Sequence, residues 1–229
     1  MESCDLMTKP AQAASPAPVD LVIFDCDGTL VDSETVATDV LVAYLAELGT
    51  QLSAEVALAR FKGGRMADCV IELEQMRGQP LPADFTKVLR ERIALVLHQR
   101  LQPIEGALEL VKSLKVPFCM ASNGPLKQIE LSLGVTGLLS YFEGRIFSAY
   151  EVGSWKPAPD LFLHAAAQMG VEPSRCAVVE DSLPGVQAGV AAGMQVFALQ
   201  PEQVEAKLPK QAKVISRLAE LHDHINIAG

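Results

Sequence analysis

Five short apolar stretches set the architecture: Leu21 to Asp25, Val116 to Ala121, Arg145 to Ser148, Cys176 to Val179 and Gln195 to Leu199. Each is strand-length, rich in Val, Ile, Phe and Leu, and barely alternates between apolar and polar residues. Strands of that pattern are buried on both faces, as in a parallel sheet covered by helices. Helical stretches separate most of them, at Gly106 to Leu114, Pro125 to Leu133, Pro159 to Met169 and Pro184 to Ala192. The alternation predicts an α/β fold with a doubly wound parallel sheet, a Rossmann-like core.

The chain between the first two stretches is far too long for one crossover helix. It carries helical patterns and few strand signals. Val36, Val40, Ala43, Tyr44 and Glu47 begin an amphipathic helix ended by Gly49, the usual cap glycine. Met66 to Met76 and Asp84 to Leu101 read as two more helices, with Gly78, Pro80 and Pro82 between them. We therefore expect an all-helical domain inserted over 33–101, a core made of 19–32 and 102–229, and Pro103 at the return. Residues 1–18, rich in Ala, Pro and Ser, read as a loosely ordered leader. They contain no basic segment followed by an apolar core, so no secretory signal is expected.

The 229 residues hold 19 Lys+Arg against 28 Asp+Glu, a net charge of −9. That balance argues against nucleic-acid binding, which needs a basic face. An anionic ligand would need a local positive patch or a bound metal. No apolar run approaches the roughly 18 residues of a membrane span. The five cysteines are odd in number, far apart and without metal spacing, so reduced thiols and a cytoplasmic protein are expected. Nothing suggests a large exposed apolar stripe, and a monomer is the default.

Chemistry gathers at the strand ends, where doubly wound sheets bind ligands. The first strand runs into Asp25-Cys26-Asp27-Gly28-Thr29. Two carboxylates two positions apart can converge there, although Asp-Gly is also a common turn. Ser122-Asn123-Gly124 follows the second strand before a helix start, an arrangement suited to an anion but also to an ordinary turn. Lys156, in Trp155-Lys156-Pro157, lies in the loop after the third strand; most isolated lysines are simply solvated. Glu180-Asp181 ends the fourth strand, and such a pair is costly without a cation. A hard, oxygen-liganded ion such as Mg²⁺ suits it. Together these carboxylates, hydroxyl and lysine match phosphoryl transfer, in which cations neutralise phosphoryl oxygens while an in-line nucleophile attacks.

With those residues in that order, the chain resembles the haloacid dehalogenase superfamily of phosphohydrolases. The four motifs are Asp25 to Thr29, Ser122, Lys156 and Glu180-Asp181, and the resemblance covers 19 to about 200. The helical insertion resembles the family's small α-helical cap. Within the superfamily the chain is similar to the β-phosphoglucomutase and phosphoglycolate phosphatase branch. Phe61-Lys62-Gly63 and Ser122-Asn123-Gly124-Pro125 are most like bacterial phosphatases of 6-phosphogluconate and related sugar phosphates. The resemblance implies that Asp25 becomes an aspartyl-phosphate and that Asp27 serves as general acid and then base. It implies Mg²⁺ on the Asp25 carboxylate, the Asp27 carbonyl and Asp181, with Glu180 direct or through water. Ser122, Asn123 and Lys156 would hold the phosphate of a small phosphorylated metabolite.

Mutases of this branch carry a histidine in the cap hinge where this chain has Ala37. None of His98, His164, His222 and His224 falls near a motif. Water should therefore resolve the phosphoenzyme, which favours a hydrolase over a phosphosugar mutase. A non-catalytic phosphate-binding module would not need this full set of competent residues. Dehalogenase chemistry would need neither Asp27 nor a metal. The cap stretch Arg60-Phe61-Lys62-Gly63-Gly64-Arg65 holds three cations and no acid. It reads as a solvated loop by itself. With the resemblance, it suggests that Lys62 and Arg65 bind the non-reacting end of the substrate, with Lys127 a weaker candidate.

Overall fold

The computed structural model describes residues 18–199 and 207–225. The expected leader lies, apart from its last residue, outside the described residues. A six-stranded sheet forms the core: β1 (Leu21–Phe24), β2 (Phe118–Ser122), β3 (Ile146–Ser148), β4 (Cys176–Glu180), β5 (Gln195–Leu199) and β6 (Lys213–Ile215). All pairings are parallel, in the order β3-β2-β1-β4-β5-β6. The five strands expected from the sequence are therefore present. The sixth was not anticipated, because Lys213–Ile215 is short, and its first two residues are exposed.

β1 explains why these stretches lack alternation. All four of its side chains are fully buried. Val22 and Phe24 enter the apolar cluster on one face, where Phe24 meets Phe118 and Phe142 edge-on at 6.2 and 6.3 Å. Leu21 and Ile23 enter the cluster on the other face, with Val178, Val196 and Phe162. β1 lies between β2 and β4, so the strand order reverses on either side of it. That is where an open α/β sheet leaves a crevice beyond the carboxyl ends.

Four helices follow β1: α1 (Ser33–Glu47), α2 (Ala54–Phe61), α3 (Met66–Arg77) and α4 (Phe85–Arg100). The sequence reading found three of these and missed α2. Ser53 caps α2, accepting from the Val56 N–H, a sound helix start. The segment is only eight residues long and buries only Ala57, so its periodicity is weak. α1 packs on α4, with Tyr44 stacked on Phe85 at 5.1 Å. The chain leaves and re-enters the core side by side: Asp32 N donates to Gln102 O at 3.0 Å and Ile104 N to Leu30 O at 2.9 Å.

The remaining helices are α5 (Ala107–Ser113), α6 (Leu126–Val135), α7 (Leu139–Phe142), α8 (Ala149–Val152), α9 (Asp160–Gln168), α10 (Leu183–Ala191) and α11 (Leu221–His224). No helix among the described residues is long and apolar enough to cross a membrane.

Candidate active site

The ends of β1, β2 and β4 and the loop after α8 bring the four sequence motifs to one point. Lys156 Nζ lies 2.5 Å from Asp25 Oδ1 and 2.7 Å from Glu180 Oε1. All three side chains are buried. Asp181 sits beside them, its Oδ1 accepting from Thr29 Oγ1 at 3.2 Å. Asp27 accepts from the Ser33 hydroxyl at the start of α1. Ser122 is buried at the end of β2, its Oγ accepting from Gly124 N at 3.0 Å.

Gly28 makes the approach of these groups possible. Its φ is +82°, and a Cβ there would stand 2.1 Å from Asp181 Oδ2. Any side chain would therefore break the turn and displace a carboxylate together.

The carboxylates outnumber their cations, and their proton affinities follow. Burial pushes Asp25 up, and the Glu180, Asp181 and Asp27 charges add to it against the pull of Lys156. Asp181 is pushed up to about 6 by burial and Glu180, opposed by Lys62 and Thr29. Burial also raises Asp27, offset by the Ser33 hydroxyl. Lys156 is raised: its ion pairs with Asp25 and Glu180 outweigh its desolvation.

A hard cation fits this set. One carboxylate oxygen each from Asp25, Glu180 and Asp181 lie within 4.8 Å of one another. Asp181 Oδ2 is buried and has no aligned hydrogen-bond donor. Lys62 Nζ forms an ion pair with it at 2.5 Å. All-oxygen donors with excess negative charge suit Mg²⁺.

Glu180 has both oxygens engaged. Oε1 takes Lys156, and Oε2 takes the Ser182 N–H at 2.7 Å and hydroxyl at 2.9 Å. Asn123 is similarly occupied with backbone. Its Oδ1 accepts from Lys156 N at 3.0 Å, and its Nδ2 donates to Gly63 O at 3.2 Å and Lys156 O at 3.4 Å. It ties the lysine loop to the loop between α2 and α3.

That inter-helix loop covers the site. Gly63, at φ +68°, packs against Ser182, where a Cβ would meet the serine Cβ at 2.6 Å. Its N–H donates to Glu34 Oε1 at 3.2 Å. Burial and the Asp181 and Asp27 charges push Glu34 up to about 8. The cleft enclosed by loop and strands is about 170 Å³, small beside the roughly 300–1,000 Å³ of pockets for drug-sized ligands.

Among the expected residues, Asp25, Asp27, Ser122, Asn123, Lys156, Glu180 and Lys62 line this cleft. Asp181 joins through its neighbours. Arg65 does not line it. Its guanidinium lies 4.4 Å over the Trp155 ring, beside a separate cleft. Lys127 and the four histidines are also absent from the lining, whereas Ala37 contributes to it. Sequence reading missed Ser33, Glu34, Ser182, Arg90 and Tyr150. The first three sit within a few positions of the acidic motifs, which is the signal that would have found them.

Residues 19–193 match the family of haloacid dehalogenase-like hydrolases. The chain belongs to that family. This haloacid dehalogenase-like hydrolase is 38% identical over 180 residues to the 6-phosphogluconate phosphatase of Escherichia coli strain K12, covering 78% of this chain and 81% of that protein. A crystal structure of a conserved haloacid dehalogenase-like protein from Agrobacterium tumefaciens superposes with a TM-score of 0.78 at 34% identity, covering 90% of this chain and 96% of that one. A family hydrolase from Deinococcus radiodurans, solved with bound phosphate and sodium, gives a TM-score of 0.72 at 33% identity, over 93% and 100% of the two chains. With phosphatases among its relatives and each motif in place, this hydrolase is an enzyme of the phosphoric monoester class.

Proposed function

We propose that this hydrolase is a Mg²⁺-dependent phosphatase of a small sugar phosphate or sugar-acid phosphate, working through an aspartyl-phosphate on Asp25. The observation that carries the reading is the buried Asp25–Lys156 contact of 2.5 Å with Asp27 beside it. In this reading the three serve as nucleophile, counter-ion and acid at the sheet's switch point. Similarity to the E. coli 6-phosphogluconate phosphatase supports the sugar-acid class.

In this reading helices α1 to α4, residues 33–101, act as a cap over the core. Asp25 attacks phosphorus while Asp27 gives its proton to the leaving alcohol. Burial keeps that proton available. Asp27 then takes a proton from the water that attacks the aspartyl-phosphate, releasing phosphate and restoring Asp25. Ser122 and Lys156 hold phosphoryl oxygens. Glu180, with both oxygens engaged, positions Lys156 and the Ser182 turn. Asp25, Asp181 and the Asp27 carbonyl would hold Mg²⁺, which supplies positive charge against the transferring phosphoryl oxygens. Ala37 presents only a methyl to the cleft, so no cap-hinge histidine is available to favour return of the phosphoryl group to a sugar, and hydrolysis follows rather than mutation.

The test is phosphate release from a panel of sugar phosphates, sugar-acid phosphates and nucleotides, with Mg²⁺ or EDTA. The expected result is Mg²⁺-dependent release that Asp25→Asn abolishes. Undiminished release by Asp25→Asn would refute the covalent route. Isomerisation of a sugar 1-phosphate in place of hydrolysis would establish a mutase.

A further inference from the structure

Three cationic side chains line the catalytic cleft: Lys62, Arg90 and Lys156. Two of them are neutralised by the site itself, Lys156 by Asp25 and Glu180, and Lys62 by Asp181. Arg90 alone has no carboxylate partner among the described residues. It projects from the middle of α4, and its Nη2 donates to the Tyr150 hydroxyl at 2.5 Å. Its guanidinium lies 5.2 Å from the centre of that ring.

The pair stands at the opposite end of a burial gradient from the chemistry. Asp25 and Lys156 are 7% and 4% exposed, whereas Tyr150 is 42% exposed. A phosphate bound at Asp25 therefore directs the rest of the molecule toward the mouth, where Arg90 and Tyr150 wait. A guanidinium offers five N–H donors in a planar fork, and Tyr150 accepts only one of them. Because Tyr150 accepts, its own O–H proton remains free to donate outward. An uncompensated cationic fork beside a free hydroxyl proton is the donor set for a carboxylate.

We propose that Arg90, oriented by Tyr150, binds a carboxylate at the non-reacting end of the substrate, which makes the preferred substrate a phosphorylated sugar acid. This inference rests on the phosphatase reading above. It replaces Arg65, which is held over Trp155 outside the cleft, as the arginine that reads the substrate.

The experiment compares 6-phosphogluconate with glucitol 6-phosphate, which carries a hydroxymethyl group in place of the carboxylate. Steady-state phosphate release in Mg²⁺ is measured for wild type, Arg90→Met, Arg90→Lys and Tyr150→Phe. Wild type should favour the acid. Arg90→Met should lower the acid-to-alcohol ratio of kcat/KM by on the order of 10- to 100-fold, chiefly through KM, as expected for a lost hydrogen bond to a charged group. Arg90→Lys should recover part of the ratio, and Tyr150→Phe should lower it less than Arg90→Met. Release from both substrates with an unchanged ratio in Arg90→Met would overturn the inference and leave the phosphatase reading intact. A wild-type preference for the alcohol would do the same. Release from neither substrate by wild type would overturn the sugar-phosphate reading and this inference with it.

Discussion

Glu34 gives the most exacting check on the electrostatics of the site. Its carboxyl is held by the Gly63 N–H at 3.2 Å and faces the Asp27 and Asp181 charges, which with burial raise it from 4.5 to about 8. A carboxyl raised in the folded state binds its proton more tightly there than in the unfolded chain. Its contribution to stability is full below pH 4.5 and is lost as pH rises through about 8. A rise of that size corresponds to at most about 5 kcal/mol, at about 1.4 kcal/mol per tenfold change in proton affinity. Glu34 retains partial solvent contact, and about 2–3 kcal/mol is the appropriate scale. Glu34→Gln keeps an oxygen for the Gly63 N–H and removes the titration. In EDTA, urea unfolding from pH 5 to pH 9 should give a stability difference, variant minus wild type, near zero at the acid end. That difference should rise by about 2–3 kcal/mol at the alkaline end. A difference that stays flat, or that falls with rising pH, would refute the assignment of a strained carboxylate to Glu34.

Lys156→Met leaves Asp25 and Glu180 buried without their shared cation. It should abolish phosphate release and lower stability by about 3–5 kcal/mol in denaturant unfolding at pH 7; wild-type stability would show that Lys156 is not the charge that holds the site together. Gly28→Ala combines a φ of +82° with a Cβ 2.1 Å from Asp181 Oδ2. It should lose about 1–3 kcal/mol and also the rise in melting temperature that Mg²⁺ gives wild type, and a normal Mg²⁺ shift in thermal melts would count against Asp181 as a ligand.

The sheet was legible because its strands are buried on both faces. Val22 and Phe24 need one apolar layer and Leu21 and Ile23 the other, so neither face could be polar and the non-alternating runs stood out. The motifs of the site were legible for a related reason. Three of the four lie at a strand end, with Lys156 in the loop beyond β3 and α8, and parallel strands deliver those ends to one edge whatever lies between them in sequence. β6 escaped because an edge strand with exposed Lys213 and Val214 has no two-faced signature. α2 escaped because a short helix over the site buries little and is held by Ser53 at its start and Gly63 just beyond its end. Glu34 is an acid in the first turn of α1, and nothing local in the sequence reveals that a loop folded back from Gly63 closes over it.

The cations show where sequence reading misleads. Arg60, Lys62 and Arg65 put three cations and no acid into six residues of an acidic chain, which invited a common role in substrate binding. A loop between two helices turns its side chains in different directions, and the three separate accordingly. Arg60 pairs with Glu72 at 2.7 Å on the surface, Lys62 turns inward to Asp181, and Arg65 lies on Trp155. Arg90 has Lys87 and Arg92 nearby but Glu91 beside it, an ordinary mixed-charge helix surface in the sequence. It is one of three arginines in α4, where Arg92 bonds Glu47 and Arg100 bonds Asp39. Those two find carboxylates on α1 because they face it, whereas Arg90 faces the cleft and meets only a neutral phenol. Charge density along a chain therefore reports composition. Charge left without a partner after folding is what can select a ligand, and in the cleft of this hydrolase that charge belongs to Arg90.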